Sequence, residues 1–401
     1  MSTVSRSPPP QVALRLKRAL GGRAGWGGFV LQILFVLILV WIGYEIFVNA
    51  RSNLENQRIT SGFGFLNNTA GFDVSQSLIP YSGSDTYARV LLVGLLNTIL
   101  VSVIGIIFAT LIGFIVALGR LSPNWLIARV AGGYVEAVRN LPLLFQMLFW
   151  YLAVLAALPG PRQSISLFGI SYLSNRGLIV PRPIGEAGFE PFLIAFLVAM
   201  VASIILRTYA RRQLFQHGKA IRIWPYVLGL LIGLPLVAAL VFGMPFKVEL
   251  PELKGFNFAG GVRVIPELVA LLLALSIYTA AFIAEIVRAG IMAVHKGQME
   301  AGLSLGLGRG SVLRLIVIPQ AMRVILPPLT NQYLNLTKNS SLAVAIGYPD
   351  LVSVFAGTTL SQTGQAIEII GITMGVYLLI SLVTSAIMSF YGWRLNRSLG
   401  A

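Results

Sequence analysis

Long apolar segments alternate with short polar segments along most of this chain. A helix of about 20 apolar residues is long enough to cross the roughly 30 Å of hydrocarbon in a bilayer. The pattern therefore predicts membrane-spanning helices, with a mixed polar and apolar helical segment at 126–140 leading into the third. The eight predicted spans are 28–48, 90–118, 141–158, 191–206, 224–242, 265–289, 321–347 and 369–390.

The composition supports this interpretation. Charged residues make up 11% of the 401 residues and hydrophobic residues 56%, whereas soluble domains carry about 25% charged residues. The sequence therefore predicts an all-α polytopic membrane protein with about eight transmembrane helices. The segments between the spans are expected to be polar loops, among them 49–88, 159–189, 243–264 and 348–368.

The positive charge is distributed among the spans and does not form one basic surface. The formal net charge is +16, but Lys and Arg occur in short clusters between apolar segments, as the positive-inside rule predicts. Nineteen of them fall in alternate segments that would share one side of the membrane, against nine on the other side. This asymmetry predicts eight spans with both termini inside, and it argues against a nucleic-acid partner.

The residue inventory argues against several kinds of chemistry. The chain has no cysteine, and its two histidines, His217 and His295, lie far apart in basic loops. We therefore expect neither a disulfide nor a metal site. The chain contains no phosphate-binding loop in which Gly-Lys is followed by Ser or Thr, so it is not expected to hydrolyse ATP itself.

The polar segment 293–319, between the sixth and seventh predicted spans, has an unusual pattern. Its residues 300–319 read EAGLSLGLGRGSVLRLIVIP, and glycines of this kind permit a tight turn and close approach. Pro319 is expected to stop the helix before the seventh span begins. These signals predict a short helix–turn–helix at the inner membrane face. Two roles remain open for it, an interfacial amphipathic helix or a docking site for a partner subunit.

Polar residues inside spans are costly, and they usually face a cavity or a neighbouring helix. The seventh predicted span is the richest in them, and Pro327-Pro328 is expected to interrupt its start. We predict that this span lines a translocation pathway. Polar contacts between helices, or a shorter span, are the alternatives. The pathway candidates are Glu285, Asn331, Asn335, Lys338, Ser340 and Ser341.

Two short segments near the inner ends of spans repeat one charge pattern. Glu136 and Arg139, and likewise Glu285 and Arg288, are three residues apart. That spacing places both side chains on one face of a helix. We expect either local ion pairs that stabilise the helix ends or direct contact with the substrate, and the ion pairs make Glu136, Arg139 and Arg288 structural candidates. Glu285 lies further into apolar sequence, so it is the better pathway candidate of the two acids.

The segment 293–319 resembles the EAA loop of bacterial ABC-importer permeases. That motif has a Glu-Ala-Ala opening, a Gly four residues after its third position, and Ile-x-Leu-Pro after nine more. Gly302 in place of the third-position Ala and Ile318 in place of Leu are mild departures. The residues that match its positions are Glu300, Ala301, Gly302, Gly306, Ile316 and Pro319.

Longer stretches extend this resemblance. Residues 134–146, 278–302 and 319–342 are similar to the polar amino-acid permease family, the histidine/glutamine type. The extra first span and an inserted pair of spans resemble the larger subunit of the general L-amino-acid permeases.

The resemblance also implies a division of the chain. Residues 1–86 would hold a cytoplasmic N-terminus, the extra first span and a periplasmic loop. Residues 87–158 would form the first part of the permease core, and 159–264 the inserted periplasmic loops with their span pair. Residues 265–401 would form the second part of the core, which includes the EAA loop.

The function implied by the resemblance is that of a permease subunit, not an enzyme, in an ATP-driven importer of L-amino acids in the bacterial inner membrane. A separate ATP-binding subunit, which uses ATP and Mg, would receive the EAA loop, with Glu300 and Gly306 at the contact. A second, related permease subunit and a periplasmic amino-acid-binding protein would complete the assembly. The chain itself would bind no cofactor and would contact membrane lipid. The alternatives are an ABC permease for another small polar solute and a stand-alone secondary transporter or channel.

Overall fold

The computed structural model describes residues 26–56, 62–186, 188–218 and 222–398. The predicted cytoplasmic segment before residue 26 and the last three residues of the chain lie outside the described residues. The placement of both termini inside the cell therefore stays a prediction.

Helices cover all the predicted spans, because backbone in a bilayer must satisfy its N–H and C=O groups within its own segment. The helices are α1 (Trp26–Asn56), α2 (Tyr87–Arg120), α3 (Trp125–Asn140), α4 (Leu143–Leu148), α5 (Phe189–His217), α6 (Trp224–Leu228), α7 (Leu234–Phe242), α8 (Pro266–Met292), α9 (Lys296–Ser304), α10 (Arg309–Val312), α11 (Ile318–Asn339), α12 (Leu360–Thr363) and α13 (Ala366–Ser398). Wider π-helical turns lie at Phe149–Leu155, Gly229–Gly233, Leu313–Val317 and Val352–Thr359, and short 3-10 helices at Phe63–Asn67, Pro161–Gln163 and Ser340–Ile346.

Several of these segments are long enough to span a membrane. Within the described residues, six are long and apolar enough, and a bent pair raises the number to seven if it counts as one span. Helix α1 adds the shorter apolar stretch Val30–Ile46. The predicted fold class is confirmed, and the predicted number of spans agrees approximately. The six segments are Tyr87–Arg120, Phe189–Gln213, Trp224–Phe242, Pro266–Met292, Arg309–Ile346 and Ala366–Arg397.

The bent pair consists of Trp125–Asn140 and Leu143–Leu155, which are inclined at 105° to each other. The bend falls at Leu141, whose backbone is extended with φ −99° and ψ 129°. Leu141 precedes Pro142, and a proline disfavours the α conformation in the residue before it. The mixed segment predicted at 126–140 and the third predicted span are therefore two arms of one bent element.

The core is built around α8, which packs against α2, α11, α3 and α4. Small residues let these helices approach closely. A Cβ on Gly113 of α2 would lie 2.8 Å from the Ile283 side chain of α8, and a Cβ on Gly290 of α8 would clash with Ile325 of α11. Close packing of this kind drives association in a bilayer, where apolar burial alone gives helices no preference for each other.

Short antiparallel strands occupy much of the predicted loops 159–189 and 243–264. The strands of the two loops pair with each other across the inserted helices, with Leu178 opposite Val264 and Arg182 opposite Glu249. Runs of three or four residues are too short to show a clear alternation of apolar and polar positions, so the sequence pattern predicts loops there. The strands are β1 (Ile165–Leu167), β2 (Ser171–Ser174), β3 (Gly177–Val180), β4 (Arg182–Gly185), β5 (Phe246–Glu249), β6 (Glu252–Lys254), β7 (Asn257–Ala259) and β8 (Val262–Val264), in sheets ordered β1-β2-β3-β8, β4-β5 and β6-β7.

The segment after α11, predicted as a polar loop at 348–368, is largely helical and folds against the core. Tyr348, Leu351 and Phe355 are fully buried. A Cβ on Gly94 of α2 would lie only 2.9 Å from the Leu351 Cα. The polar-loop prediction is wrong for this segment, because its apolar residues recur at helical spacing among the polar ones.

Candidate functional site

We call the segment 293–319 the EAA loop after its resemblance to that motif. It folds into α9, a tight turn and α10. Helix α9 ends in a Schellman turn, in which the Leu307 N–H donates to the Gly302 carbonyl at 3.3 Å. In the same turn, the Gly306 N–H donates to the Leu303 carbonyl at 2.9 Å. Gly306 has a φ of +78°, a left-handed conformation that is unfavourable for residues with a Cβ. The glycine at this position is therefore explained by the backbone of the turn.

Gly302 has a different reason to be glycine. It is buried in α9, and a Cβ there would lie 2.9 Å from both Val312 Cγ2 and Ile316 Cδ1. Val312 is itself fully buried. Glycine therefore replaces the third-position Ala of the motif at a place where α9 packs tightly against the helical segment that follows it.

The other side of the loop is exposed and combines a charge with apolar surface. Glu300 and Ala301 are exposed. Met299 and Leu303 are 38% and 39% exposed, and Leu305 at the turn is 80% exposed. Neighbouring exposed apolar side chains with charged residues around them are typical of a surface that contacts another protein.

The EAA loop continues into the seventh predicted span without a break, as the helical segment Arg309–Ile346. Pro319 lies near the start of α11 inside this segment, so the expectation that it stops the helix is wrong. The π-helical turn Leu313–Val317 directly precedes α11, and a wider turn accommodates the proline ring and its absent N–H. Pro327 and Pro328 also lie inside α11, so the interruption expected there is absent as well.

Three of the pathway candidates share one face of α11. Asn331, Asn335 and Lys338 are all exposed and are spaced by four and three residues, which aligns them along the helix. Leu329 and Leu336 of the same helix are buried. We call Asn331, Asn335 and Lys338 the polar face of α11. The polar face exposes two amide groups and one ammonium group on the surface of the chain.

The two serine candidates lie beyond the end of α11, in the 3-10 helix Ser340–Ile346. The Ser340 hydroxyl donates to the Thr337 carbonyl and the Ser341 hydroxyl to the Lys338 carbonyl, both at 2.7 Å. Ser340 is fully buried and Ser341 half-buried. Both hydroxyl donors are therefore engaged by the backbone, and the structure does not bring Ser340 to the polar face.

Glu285 in α8 is held by two arginines. Its Oε1 lies 2.5 Å from Arg288 Nη2, and Arg120 at the end of α2 forms a second ion pair with it. Local spacing predicts the partner Arg288. Arg120 lies 165 residues away, so no local pattern reveals it. The carboxylate thus forms part of a three-residue ion cluster, Arg120–Glu285–Arg288.

The second Glu–Arg segment, in α3, has a different structure. Glu136 and Arg139 are both exposed, and among the ion pairs of the residues that the structure covers they do not form one. The Arg139 guanidinium carbon lies 5.0 Å from the centre of the Phe282 ring, within the range of a cation–π contact. The expected ion pair is therefore wrong at this position.

Asp350 is a buried carboxyl group that no sequence pattern marks. It is fully buried in the segment between α11 and α13. The Ser353 N–H donates to its Oδ1 at 2.8 Å, and the Tyr377 hydroxyl donates to its Oδ2 at 3.4 Å. Burial raises the pKa of Asp350 to about 7, although these hydrogen bonds act in the opposite direction. A single Asp in a polar stretch gives no sequence signal of such an environment.

Comparison with known proteins decides the family. Residues 109–397 match the model of the binding-protein-dependent transport system inner membrane components. The chain belongs to this family. The permease is therefore a multi-span membrane protein and the transport component of an ABC importer, and a family of this kind works with a separate ATPase and a substrate-binding protein.

Relatives of similar length match nearly the whole permease. The putative amino-acid ABC transporter permease protein YhdX of Escherichia coli (strain K12) is 54% identical over 367 residues, 92% of this chain and 93% of that protein. The general L-amino acid transport system permease protein AapQ of Rhizobium johnstonii is 51% identical over 360 residues, 90% of each chain. BztB of Rhodobacter capsulatus, a glutamate/glutamine/aspartate/asparagine transport system permease protein, is 39% identical over 420 residues, 96% of this chain and 97% of that protein.

No metal-ligand cluster accompanies this site. Among the described residues of the permease, no group of three or more His, Cys, Asp or Glu side chains could hold a metal ion. The polar groups that the site presents are the amides of Asn331 and Asn335, the Lys338 ammonium and the Arg120–Glu285–Arg288 ion cluster.

Proposed function

We propose that the permease carries L-amino acids across the membrane as one transmembrane subunit of its importer, and that a separate subunit hydrolyses ATP. The names of the relatives support amino acids as the substrate class. The observation that carries the coupling is the unbroken helical segment Arg309–Ile346, which joins the EAA loop to the proposed pathway. A force applied to the loop would therefore move the span directly.

The EAA loop is the proposed contact with the ATP-binding subunit. The exposed Glu300 and Leu305 would touch that subunit, and Gly306 would set the angle of the turn between them and α10. Gly302 would allow α9 to pack closely against Val312, so that the two helices of the loop move together. The proposed coupling residues are Glu300, Ala301, Gly302, Gly306, Ile316 and Pro319.

The polar face of α11 is the proposed wall of the translocation pathway. An amino acid carries a carboxylate, which would accept a hydrogen bond from the Lys338 ammonium, and an ammonium, which would donate to the side-chain carbonyls of Asn331 and Asn335. Charge-assisted bonds of this kind are about twice as strong as neutral ones. In this proposal Glu285 acts through its ion cluster at the inner end of the pathway, and Ser340 and Ser341 shape the other end.

The proposal also includes the assembly and its orientation. The partners are an ATP-binding subunit that uses ATP and Mg, a second and related permease subunit, and a periplasmic amino-acid-binding protein. The asymmetry of Lys and Arg supports cytoplasmic termini, which would place the EAA loop in the cytoplasm and the strands of the inserted unit 159–264 in the periplasm. Residues 1–86 would add the extra span, with 87–158 and 265–401 forming the permease core.

Transport in proteoliposomes tests the function. The permease is reconstituted with the partner permease and the ATPase, and the binding protein loaded with a labelled amino acid is supplied outside. We expect uptake that requires ATP and every subunit, and none with the permease alone. Uptake by the permease alone under an ion gradient would show a stand-alone transporter. ATP-dependent uptake of another polar solute, unaffected by excess amino acids, would contradict the substrate class only.

Two loop variants test the coupling contact. Glu300→Lys reverses an exposed charge and Gly306→Val strains the turn, so both should abolish uptake while expression and membrane insertion persist. Ser311→Ala, an exposed change on the same loop outside the motif, is the matched control. Unchanged uptake and unchanged co-purification of the ATPase with both variants would refute the docking role.

Lys338→Met tests the polar face, because it removes the charge and keeps the unbranched side chain up to the position of Cε. We expect at least about a tenfold loss in kcat/KM for amino-acid uptake, the size of one lost charge-assisted hydrogen bond, with subunit assembly unchanged. Lys247→Met in β5 is the control. Equal transport by the two variants would remove Lys338 from the pathway.

A further inference from the structure

A cleft of about 600 Å³ lies between α2 and α8, a volume typical of sites that hold one small molecule. On α2 its walls extend from Leu100 to Ile112, which corresponds to about 18 Å along a helix. The cleft therefore follows the spanning part of both helices. Its apolar walls include Ile104, Phe108 and Ile112 of α2 and Leu268, Leu272 and Ile277 of α8.

One end of this cleft carries a cation. Strands β3 and β8 contribute Leu178, Val264 and Arg263 to its lining. The Arg263 Nε donates to the Arg176 carbonyl at 3.2 Å. The other N–H groups of this guanidinium make no hydrogen bond to the residues that the structure describes, and no acidic side chain there pairs with it.

A second polar group lies near the same end. Gln76 lines the cleft, and its backbone carbonyl accepts a hydrogen bond from Asn97, three residues before Leu100 on α2. The Gln76 Oε1 is buried and has no hydrogen-bond partner among the described residues. A buried acceptor without a donor is uncommon in a folded protein, and a hydroxyl group of a ligand is a donor of the kind that this oxygen lacks.

We propose that this cleft binds one anionic phospholipid, with an acyl chain between α2 and α8 and the phosphate at Arg263. A guanidinium forms paired hydrogen bonds with phosphate oxygens, and a basic group at the end of a cleft between spanning helices suits a lipid headgroup. An amino-acid substrate would fill the cleft poorly, because its two charges could pair only with Arg263 and Gln76 near one end and most of the apolar wall would stay uncovered. The site is independent of the solute that the permease carries.

Native mass spectrometry of the purified importer tests the headgroup contact. The delipidated complex is titrated with phosphatidylglycerol or with zwitterionic phosphatidylcholine. We expect one retained phosphatidylglycerol for each copy of this chain and weaker retention of phosphatidylcholine. Arg263→Gln should weaken the first binding step by at least about tenfold, as for one lost charge-assisted hydrogen bond, and Arg263→Lys should retain most of it.

Arg182→Gln is the matched control, because Arg182 is an exposed arginine of β4 and does not line the cleft. It should bind phosphatidylglycerol like the unmodified chain. Equal binding by the Arg263 and Arg182 variants would mean an adventitious lipid only and would overturn the proposal. So would the absence of any retained lipid from the unmodified complex.

A thiol in the cleft separates a lipid from a protein occupant. The chain has no cysteine, so Phe108→Cys introduces a single reactive group. In proteoliposomes a lipid-soluble maleimide should label it equally with and without the partner permease subunit, because lipids exchange from the cleft. Protection that requires the partner subunit would show that a helix of that subunit fills the cleft. Protection of Phe108→Cys in both samples, while Leu111→Cys on the exposed face of α2 is labelled, would show a closed cleft, because both thiols lie in apolar surroundings that slow the reaction alike. Either result overturns the proposal.

Discussion

Glu285 and Asp350 are two acidic residues packed within the helical fold, and the protein accommodates them in opposite ways. Glu285 lies between Arg120 and Arg288, and the three side chains are 19–27% exposed. Asp350 is fully buried and is surrounded by hydrogen-bond donors such as the Ser353 N–H. One carboxylate is stabilised by cations at the edge of the core. The other has a pKa raised to about 7 by its burial, so a proton neutralises it below that pH.

The difference shows that the location of a carboxyl group in the fold determines whether a counter-ion or a proton neutralises its charge. Removing an ion from water is strongly unfavourable unless a counter-ion or a proton neutralises it. Glu285 lies near the C-terminal end of α8, where Arg120 at the end of α2 supplies a counter-ion. Asp350 is in a segment folded between α11 and α13, and within the described residues no Lys or Arg forms an ion pair with it. The two acids should therefore respond oppositely to removal of their charge.

Glu285→Ala should be the most destabilising change, because it leaves two guanidinium groups close together without their shared anion. Breaking a fully buried pair costs about 3–5 kcal/mol. Partial exposure lowers this, so we expect a loss of about 2 kcal/mol in the free energy of unfolding. The measurement is the thermal unfolding midpoint of the purified complex in one detergent at pH 7.

Glu136→Ala is the matched control for this variant, since Glu136 is also followed by an arginine three residues later but is exposed. Surface changes of this kind stay within about 0.5 kcal/mol. An equal drop in the unfolding midpoint for both variants would show that the ion cluster is no more important than an isolated surface charge.

Asp350→Asn should have the opposite sign, and its effect should depend on pH. The pKa of Asp350 is raised to about 7, so between pH 4 and 7 the folded state binds more protons than the unfolded state. The stability from this group is therefore fully present below about pH 4 and is lost as the pH rises through 7. We expect the variant to be more stable than the unmodified chain at pH 8, on the order of 1–3 kcal/mol.

The test is a comparison of unfolding midpoints at pH 5 and pH 8. The advantage of Asp350→Asn should shrink or vanish at pH 5, where the native carboxyl is mostly protonated. An advantage of the same size at both pH values, or a destabilised variant at pH 8, would contradict a carboxyl that is protonated in the folded state.

The same contrast shows what the sequence could reveal. The spans were predictable because hydropathy sums over about 20 residues, and the EAA loop because its residues lie close together in the chain. The strands near Leu178 and Val264 were not, because runs of three or four residues give no periodic signal. Arg120 was missed as a partner because its contact with Glu285 is made only in the folded chain, 165 residues apart.

Pro319 is a different kind of error. A proline inside a helix usually breaks it, since it removes one hydrogen bond and its ring clashes with the preceding turn. Here the π-helical turn Leu313–Val317 precedes α11, and Pro319 is accommodated near the helix start. A single sequence does not show where such a turn forms, and in the fold this turn lies where Val312 and Ile316 pack around Gly302.

Arg120→Gln should have a smaller effect than the loss of Glu285, because the carboxylate keeps Arg288 at 2.5 Å. We expect a loss of about 1 kcal/mol, measured by the same unfolding midpoint. A double-mutant cycle with Glu285→Gln isolates the contact between the two side chains. A coupling energy of zero in that cycle would show that Arg120 contributes nothing to holding Glu285.

The smallest effect concerns the second Glu–Arg segment. Arg139 lies over the Phe282 ring and does not pair with Glu136; its guanidinium carbon is 5.0 Å from the ring centre. A cation–π contact at an exposed site contributes about 0.5–1 kcal/mol. A cycle that combines Arg139→Gln with Phe282→Leu should therefore give a coupling energy in that range, whereas Arg139→Gln with Glu136→Gln should give none. A larger coupling to Glu136 would mean that the ion pair forms in solution. Both Glu–Arg segments would then form local ion pairs, and their different locations in the fold would not determine whether the pair forms.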